Sequence, residues 1–274
     1  MIIKYVNSKG KEIDLNNGSY KMMVSDLLDY DWEIVKASEQ ITGFQKNISE
    51  KTINIDVLRD AKKSARLLMN DLTDIFETDI VCFKQGKIYV DDYYLSCFIF
   101  SSEKSNWETE FLISCEYGLV TDYPFWIKEM KYSFEKRIVL KKRASISGDY
   151  PYDYSYDYVF DGAKKYLVND HYTSCGFKMI IYGPCLNPAI TIGENKYEVL
   201  TSIQEGEYLE ILSAFHKRTI NRISIDGKII NEFANRNGDP FRLISSGSNT
   251  VVWNGEFGFD VILYQERSEP KWNL

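Results

Sequence analysis

Histidine is nearly absent: 274 residues carry only His171 and His216, and neither lies in an HExxH or HxH pattern. GxSxG, GxGxxG and GxxxxGKS/T are missing as well, so serine-hydrolase, dinucleotide-binding and P-loop chemistry lack their signatures. Long apolar runs are also lacking. No stretch approaches the about eighteen residues of a membrane-spanning helix, and the opening MIIKYVNSKGKEIDL has no secretion-signal core, so folding in a cytoplasm, away from membranes, is the expectation. The five cysteines, Cys82, Cys97, Cys115, Cys175 and Cys185, are odd in number, have no CxxC spacing and lie mostly in apolar runs, which reads as buried free thiols in a reducing compartment. Positive charge is short: 33 Lys and Arg against 40 Asp and Glu give a net charge of -7, which repels a phosphate backbone and argues against direct nucleic-acid binding. The run EKRIVLKKR, with Lys136, Arg137, Lys141, Lys142 and Arg143, goes against the trend and reads as a lysine-guarded strand edge or a local patch for an acidic partner.

Hydrophobic residues at 44% and charged residues at 27% suit a soluble globular chain, long enough for one large domain or two ordinary ones. In the first fifty residues, short apolar stretches alternate with SKG, NNG and ITG turns and predict strands joined by hairpins. Val57, Ala61, Ala65, Leu68, Leu72 and Ile75 then recur at steps of three and four, predicting one amphipathic helix over about 55–76 with Asn54 or Asp56 as N-cap. Beyond it the period falls to two. TDIVCF and GKIYV flank KQG as a predicted hairpin, DYYLSCFIF follows, and WETEFLISCEY places Trp107, Thr109, Phe111, Ile113, Cys115 and Tyr117 on one face. YPFWIKEMKYSFEK repeats the alternation, and after Ala163 come eight strand-like runs separated by GEN, DG, SGSN and NG turns. In the last of these runs Phe257, Phe259, Val261 and Leu263 alternate as one buried face.

The predicted fold class is therefore mainly β, with an N-terminal antiparallel β domain carrying one helix over 1–147, a tyrosine-rich segment over 148–162 and a C-terminal β-sandwich over 163–274. In the middle segment, GDYPYDYSYDYVFDG, Tyr150, Tyr152, Tyr154, Tyr156 and Tyr158 occupy every second position, so an extended chain sends all five rings to one face. Such a row suits packing between domains, contact with another protein copy, or stacking on a sugar; a disordered linker is the remaining reading.

Three other constellations point weakly to chemistry. His171, Cys175 and Cys185 offer soft ligands to zinc at a spacing that matches no common site. Glu205, Glu207 and Glu210 could supply the carboxylate pair of a glycosidase. Asp149, Asp153, Asp157 and Asp161 recur every fourth residue without the pattern of a calcium loop. The bland reading is preferred for each, and no catalytic residue, metal or cofactor is expected.

The C-terminal third carries a resemblance. FKMIIYGPCLNPAITIGENKYEV, then GEYLEI, RTI, the NEF after DGKII, and SGSNTVVWNGEFGFDVILYQERSEPKW follow an order similar to the distal tail protein family of phages. YVNSKGKEIDL, LTDIFETDI with GKIYVDDYYLSC, and YPFWIKE resemble that family's N-terminal half more diffusely, and a PYDY segment resembles the region between the halves in several members. The resemblance implies a tail-tip or baseplate ring, usually a homohexamer, at the distal end of the tail tube. N-terminal domains would build the ring, and a C-terminal galectin-like sandwich would face outward. Implied partners are further copies of the chain, the tail tube protein, the tail hub protein, and baseplate or receptor-binding proteins, in a virion tail assembled in the host cytoplasm. The chain lacks the long C-terminal insertion that forms an arm for receptor-binding proteins in some members. The alternative is a carbohydrate-binding β-sandwich recognising cell-wall glycan.

Overall fold

In the computed structural model, residues 1–105, 107, 111–137 and 165–272 are described; they form antiparallel strands and, among them, one α-helix, as the mainly-β expectation requires. The chain divides into two compact units, Met1–Glu129 with Glu266–Leu274, and Met130–Gln265. The expected inter-domain segment 148–162, with its tyrosine row, lies outside the described residues.

In the first unit, strand Ser49–Leu58 buries Ile53, Ile55 and Val57 completely while the residues between them point away, the alternation a half-buried strand requires. It pairs along its whole length with Leu112–Thr121, which pairs in turn with the second half of Tyr93–Ser105. The first half of Tyr93–Ser105 pairs instead with Gly86–Val90, and that strand pairs with Ile3–Val6. One long strand thus serves two sets of neighbours.

The helix, Ala65–Cys82, buries Ala65, Leu68, Met69, Leu72, Ile75, Phe76 and Asp79 along one stripe. Phe76 meets Tyr5 and Tyr117 edge-on, with ring centroids 5.1 Å and 5.2 Å away. Edge-on contact sets the positive rim of one ring against the negative face of the next, adding about 0.5–1.5 kcal/mol per pair to the area buried.

The predicted helix limits are corrected at both ends. Asn54 and Asp56 sit in the strand opposite Glu116 and Ser114, and the Ser114 hydroxyl donates to Asp56 at 2.6 Å. The helix begins after Ser64, whose hydroxyl accepts the Leu67 N–H, while Asp60 turns the chain just before it by accepting the N–H groups of Lys62 and Lys63. Val57 belongs to the strand's buried face, and its four-residue distance from Ala61 imitates a helical step. At the other end TDIVCF continues the helix instead of forming a strand, and the chain turns at Phe83 in the left-handed conformation (φ 48°). The predicted face of WETEFLISCEY is also shortened: the strand starts at Leu112, Ile113, Cys115 and Tyr117 are buried, and Trp107 and Phe111 are exposed.

The second unit is a sandwich. One sheet runs Ile229–Asn231, Lys217–Ile223, Tyr208–Ala214, Gly176–Tyr182, Phe259–Arg267; the other runs Lys165–Asn169, Gly247–Trp253, Ala189–Ile192, Asn195–Val199, Arg236–Asn237. All eight strand-like runs form strands. Phe257, Phe259, Val261 and Leu263 are buried as the alternation predicts. The sheets join through Phe177 on Tyr197 and Trp253 on Phe259, both edge-on at 5.3 Å, and the Trp253 indole N–H donates to the Phe257 carbonyl at 3.0 Å.

Candidate interaction surface

Of the three carboxylates considered for glycoside hydrolysis, Glu207 and Glu210 are committed to cations. Glu207 accepts the Gln204 backbone N–H at 3.0 Å and two Arg222 contacts at 2.9 and 3.1 Å, and these hydrogen bonds hold it below the usual carboxylate range. Glu210 pairs with Lys178 at 2.5 Å, and Glu205 lies exposed in the turn. A general acid must hold a proton near neutrality, and Glu207 is driven the other way. Arg222 also pairs with buried Glu232 at 2.9 Å, so the group reads as a structural clamp between neighbouring strands. His171 and Cys175 are buried, Cys185 is half-buried, and no group of three His, Cys, Asp or Glu among the described residues is placed to hold a metal ion. Of the five free thiols, Cys97, Cys115 and Cys175 are buried as expected, Cys185 is only half-buried, and Cys82 is exposed. The aspartates at 149, 153, 157 and 161 lie outside the described residues, as do Lys141, Lys142 and Arg143, while Lys136 and Arg137 are exposed.

The first unit instead presents apolar surface. Strands Glu33–Ala37 and Gln40–Gln45 form a two-stranded sheet of their own, joined through Ser38 at φ 54°. Ile34 lies opposite Phe44, so alternation puts Trp32, Ile34, Phe44 and Lys46 on one face. Trp32, Ile34, Val35, Ile41 and Phe44 are all exposed, and Ile48 follows them at 70% exposure. Ordinary sequence patterning would read these residues as core. An isolated two-stranded hairpin is marginal in water and needs a covering surface.

The root of this hairpin is well held. Lys46 places its ammonium 5.2, 5.0 and 4.8 Å from the ring centres of Tyr30, Trp32 and Phe125, and donates to the Pro124 carbonyl at 3.0 Å. Trp32 meets Phe125 edge-on at 5.8 Å. Burial lowers Lys46 to about 8, with the charge of Lys51 adding to the shift and Asp31 opposing it. At neutral pH the lysine therefore stays mainly protonated, and the ring faces and carbonyl attract that charge. Across the strands, Gln45 donates to Glu33 at 3.0 Å, and Asn47 donates to the same carboxylate. The hairpin is fixed at its base and bare along its face.

A second apolar area lies at the end of the helix. Val81 and Phe83 are 84% and 87% exposed, and their neighbours in the sequence, Ile80 and Cys82, are exposed as well. Phe83 stacks on Phe98 with centroids 5.8 Å apart and planes at 21°. Its left-handed backbone is one that glycine or asparagine adopts more readily. The N–H of Phe83 closes the helix on the carbonyls of Asp79 and Ile80. Asp79 beneath it is fully buried and accepts the Tyr5 hydroxyl at 2.6 Å and the Ser8 N–H at 2.7 Å, anchoring this helix end to the first strand.

No family model matches the sequence, and no curated protein does. Solved structures do. A chain of the phage P2 baseplate in its activated conformation with calcium aligns over 98% of this chain and 99% of its own length, at 12% identity and a TM-score of 0.62. The same baseplate with strontium gives the same values. The SPP1 Dit protein, described as a paradigm of the hub adsorption apparatus in phages that infect Gram-positive bacteria, aligns over 97% of this chain and 100% of its own, at 7% identity and a TM-score of 0.51. At these identities the likeness concerns backbone architecture, and it covers both units from end to end. The chain has the mainly-β fold, with a single α-helix among its described residues and a second-unit sandwich, that is seen in phage baseplate and hub proteins.

Proposed function

We propose that this protein is a structural component of a phage tail tip or baseplate, a ring at the distal end of the tail tube that joins tube to hub. The observation that carries the reading is the alignment of nearly all of this chain with nearly all of a phage baseplate chain, both units included. A module shared with an unrelated protein would cover one unit only. The exposed apolar hairpin and helix end give the first unit the kind of surface a subunit of an assembly needs, because patches above a few hundred Å² on a soluble chain usually mark contacts.

On this reading the first unit builds a ring, with six copies as the proposed number, and the sandwich faces outward. Partners are the chain itself, the tail tube protein, the hub, and peripheral baseplate or receptor-binding proteins; the protein resides in the virion tail after assembly in the host cytoplasm. The tyrosine row from Tyr150 to Tyr158 serves as a strut or subunit contact, its alternation offering five rings to one neighbour. The committed ion pairs of Glu207 and Glu210 favour this structural role over glycan hydrolysis.

Native mass spectrometry of the purified protein tests the reading directly. The expected result is a closed species of six copies with no ladder of larger oligomers, since a ring that closes leaves no free contact. A monomer at all accessible concentrations, with or without the tube and hub proteins added, would refute it.

A further inference from the structure

One lysine of the chain is held differently from others of similar burial. Lys4, Lys87, Lys128 and Lys178 are half-buried, and each pairs with a carboxylate at 2.5 to 3.5 Å. Lys46 is half-buried too, yet among the described residues it forms no ion pair, only its three ring contacts and its bond to the Pro124 carbonyl. It lines a cavity of about 480 Å³ inside the first unit, shared with Tyr30, Lys51, Pro124 and the buried side chains of Leu95 and Trp126. The geometry points to Lys46 as a nucleophilic amine that captures a small, apolar-bodied aldehyde in this cavity.

Three features of the site fit that chemistry. An amine is a nucleophile only without its proton, and an apolar wall or a second cation close by is what makes a lysine give that proton up. Lys46 has both, the rings with Leu95 and Trp126 on one count and Lys51 on the other. Because burial and Lys51 hold it at about 8, about a tenth of it is neutral at pH 7, against fewer than about one in a thousand for an ordinary lysine. The volume is that of a small-ligand pocket, for which about 300 Å³ is the lower bound. The charges agree with the product. The Lys46 nitrogen attacks the carbonyl carbon, the oxygen leaves as water, and ammonium plus aldehyde give a protonated imine plus water with no net proton change. That imine keeps the positive charge that Tyr30, Trp32 and Phe125 attract, and Asp29, Asp31, Glu33 and Glu50 in the cavity lining favour it further. Against these four carboxylates stand only Lys46 and Lys51, so an anionic ligand is repelled. A lysine that served only to hold the hairpin root would take one of these carboxylates, as the four paired lysines do.

The assignment stands apart from the ring, and its test needs no assembly. Purified full-length protein is treated with benzaldehyde and sodium cyanoborohydride at pH 7.5, which fixes the imine as a benzyl amine, and peptide mass mapping gives the rate at each lysine. Lys46 should react at least about 10-fold faster than exposed Lys36 and Lys84, and 4-formylbenzoate, the same ring with a negative charge, should lose most of that preference. Lys51→Gln should slow capture at Lys46 about 3-fold, since the neighbouring cation is gone. Reaction at Lys46 no faster than at Lys36 would overturn the assignment and leave the lysine as a latch. Fast acetylation of Lys46 by acetic anhydride without benzaldehyde capture would show a reactive amine with no room for a ligand, and would overturn it equally.

Discussion

Replacing Ile34 with lysine and Phe44 with aspartate in one chain is expected to abolish self-association while leaving both units folded. The two residues face each other across the hairpin, so opposite charges placed there support the pairing of the strands. The same charges ruin the apolar face. Loss of two apolar anchors from a contact costs about 2 kcal/mol each, and the desolvation of new charges adds to that, so the association constant should fall by at least about 1,000-fold. Both positions are exposed in the single chain, which is why thermal unfolding should move little. Sedimentation velocity checks the first half and a melting curve the second. Intact oligomers in the double variant would remove the hairpin from the interface; a large drop in melting temperature would show that its face is part of the fold.

Asp79→Ala should be the most destabilising change in the first unit. The carboxylate is fully buried, accepts from Tyr5 and Ser8, and lies against Gly86, where any Cβ would collide with both Asp79 and the Tyr5 hydroxyl. Truncation leaves a buried hydroxyl and a backbone N–H without their acceptor, at about 1–3 kcal/mol each, so a loss of about 3 kcal/mol is expected for unfolding of this unit. Burial already pushes the Tyr5 hydroxyl up, and its bond to Asp79 adds to that, which fits a proton held firmly between the two. Tyr5→Phe removes the donor with the acceptor still served by Ser8 and should cost about 1 kcal/mol. The double variant should lose less than the sum, because the two changes break one shared bond. Urea unfolding of the three variants gives the coupling; additive losses, or an Asp79→Ala cost below about 1 kcal/mol, would contradict the network. The helix end, which Asp79 anchors to the first strand, would suffer first.

Most of the sandwich was legible because its strands alternate cleanly and are separated by turn residues: Phe257 to Leu263 is such a run, and it is buried as read. The helix was legible in kind and misplaced in extent. Val57 satisfied a strand period and a helical step together, and the true cap, Ser64, stood behind an aspartate turn that leaves no apolar signal. The far end was hidden because Phe83 occupies the left-handed position where glycine would announce a stop. The exposed apolar surface was the least legible part. Trp32, Ile34, Phe44, Val81 and Phe83 are the residues that a core would use, and only the structure shows them facing solvent. The Lys46 cage was equally silent, since Tyr30, Trp32 and Phe125 meet across most of the unit's length.

The central claim is that this chain is a ring-forming part of a phage tail tip, and imaging of the parent particle tests it most directly. An averaged electron cryo-microscopy map, with an antibody fragment bound to the second unit as a marker, should show a sixfold ring of the two-unit fold where the tube ends, with the sandwich outermost. Particles whose tail tip binds no marker, or in which the chain appears elsewhere, would contradict the account.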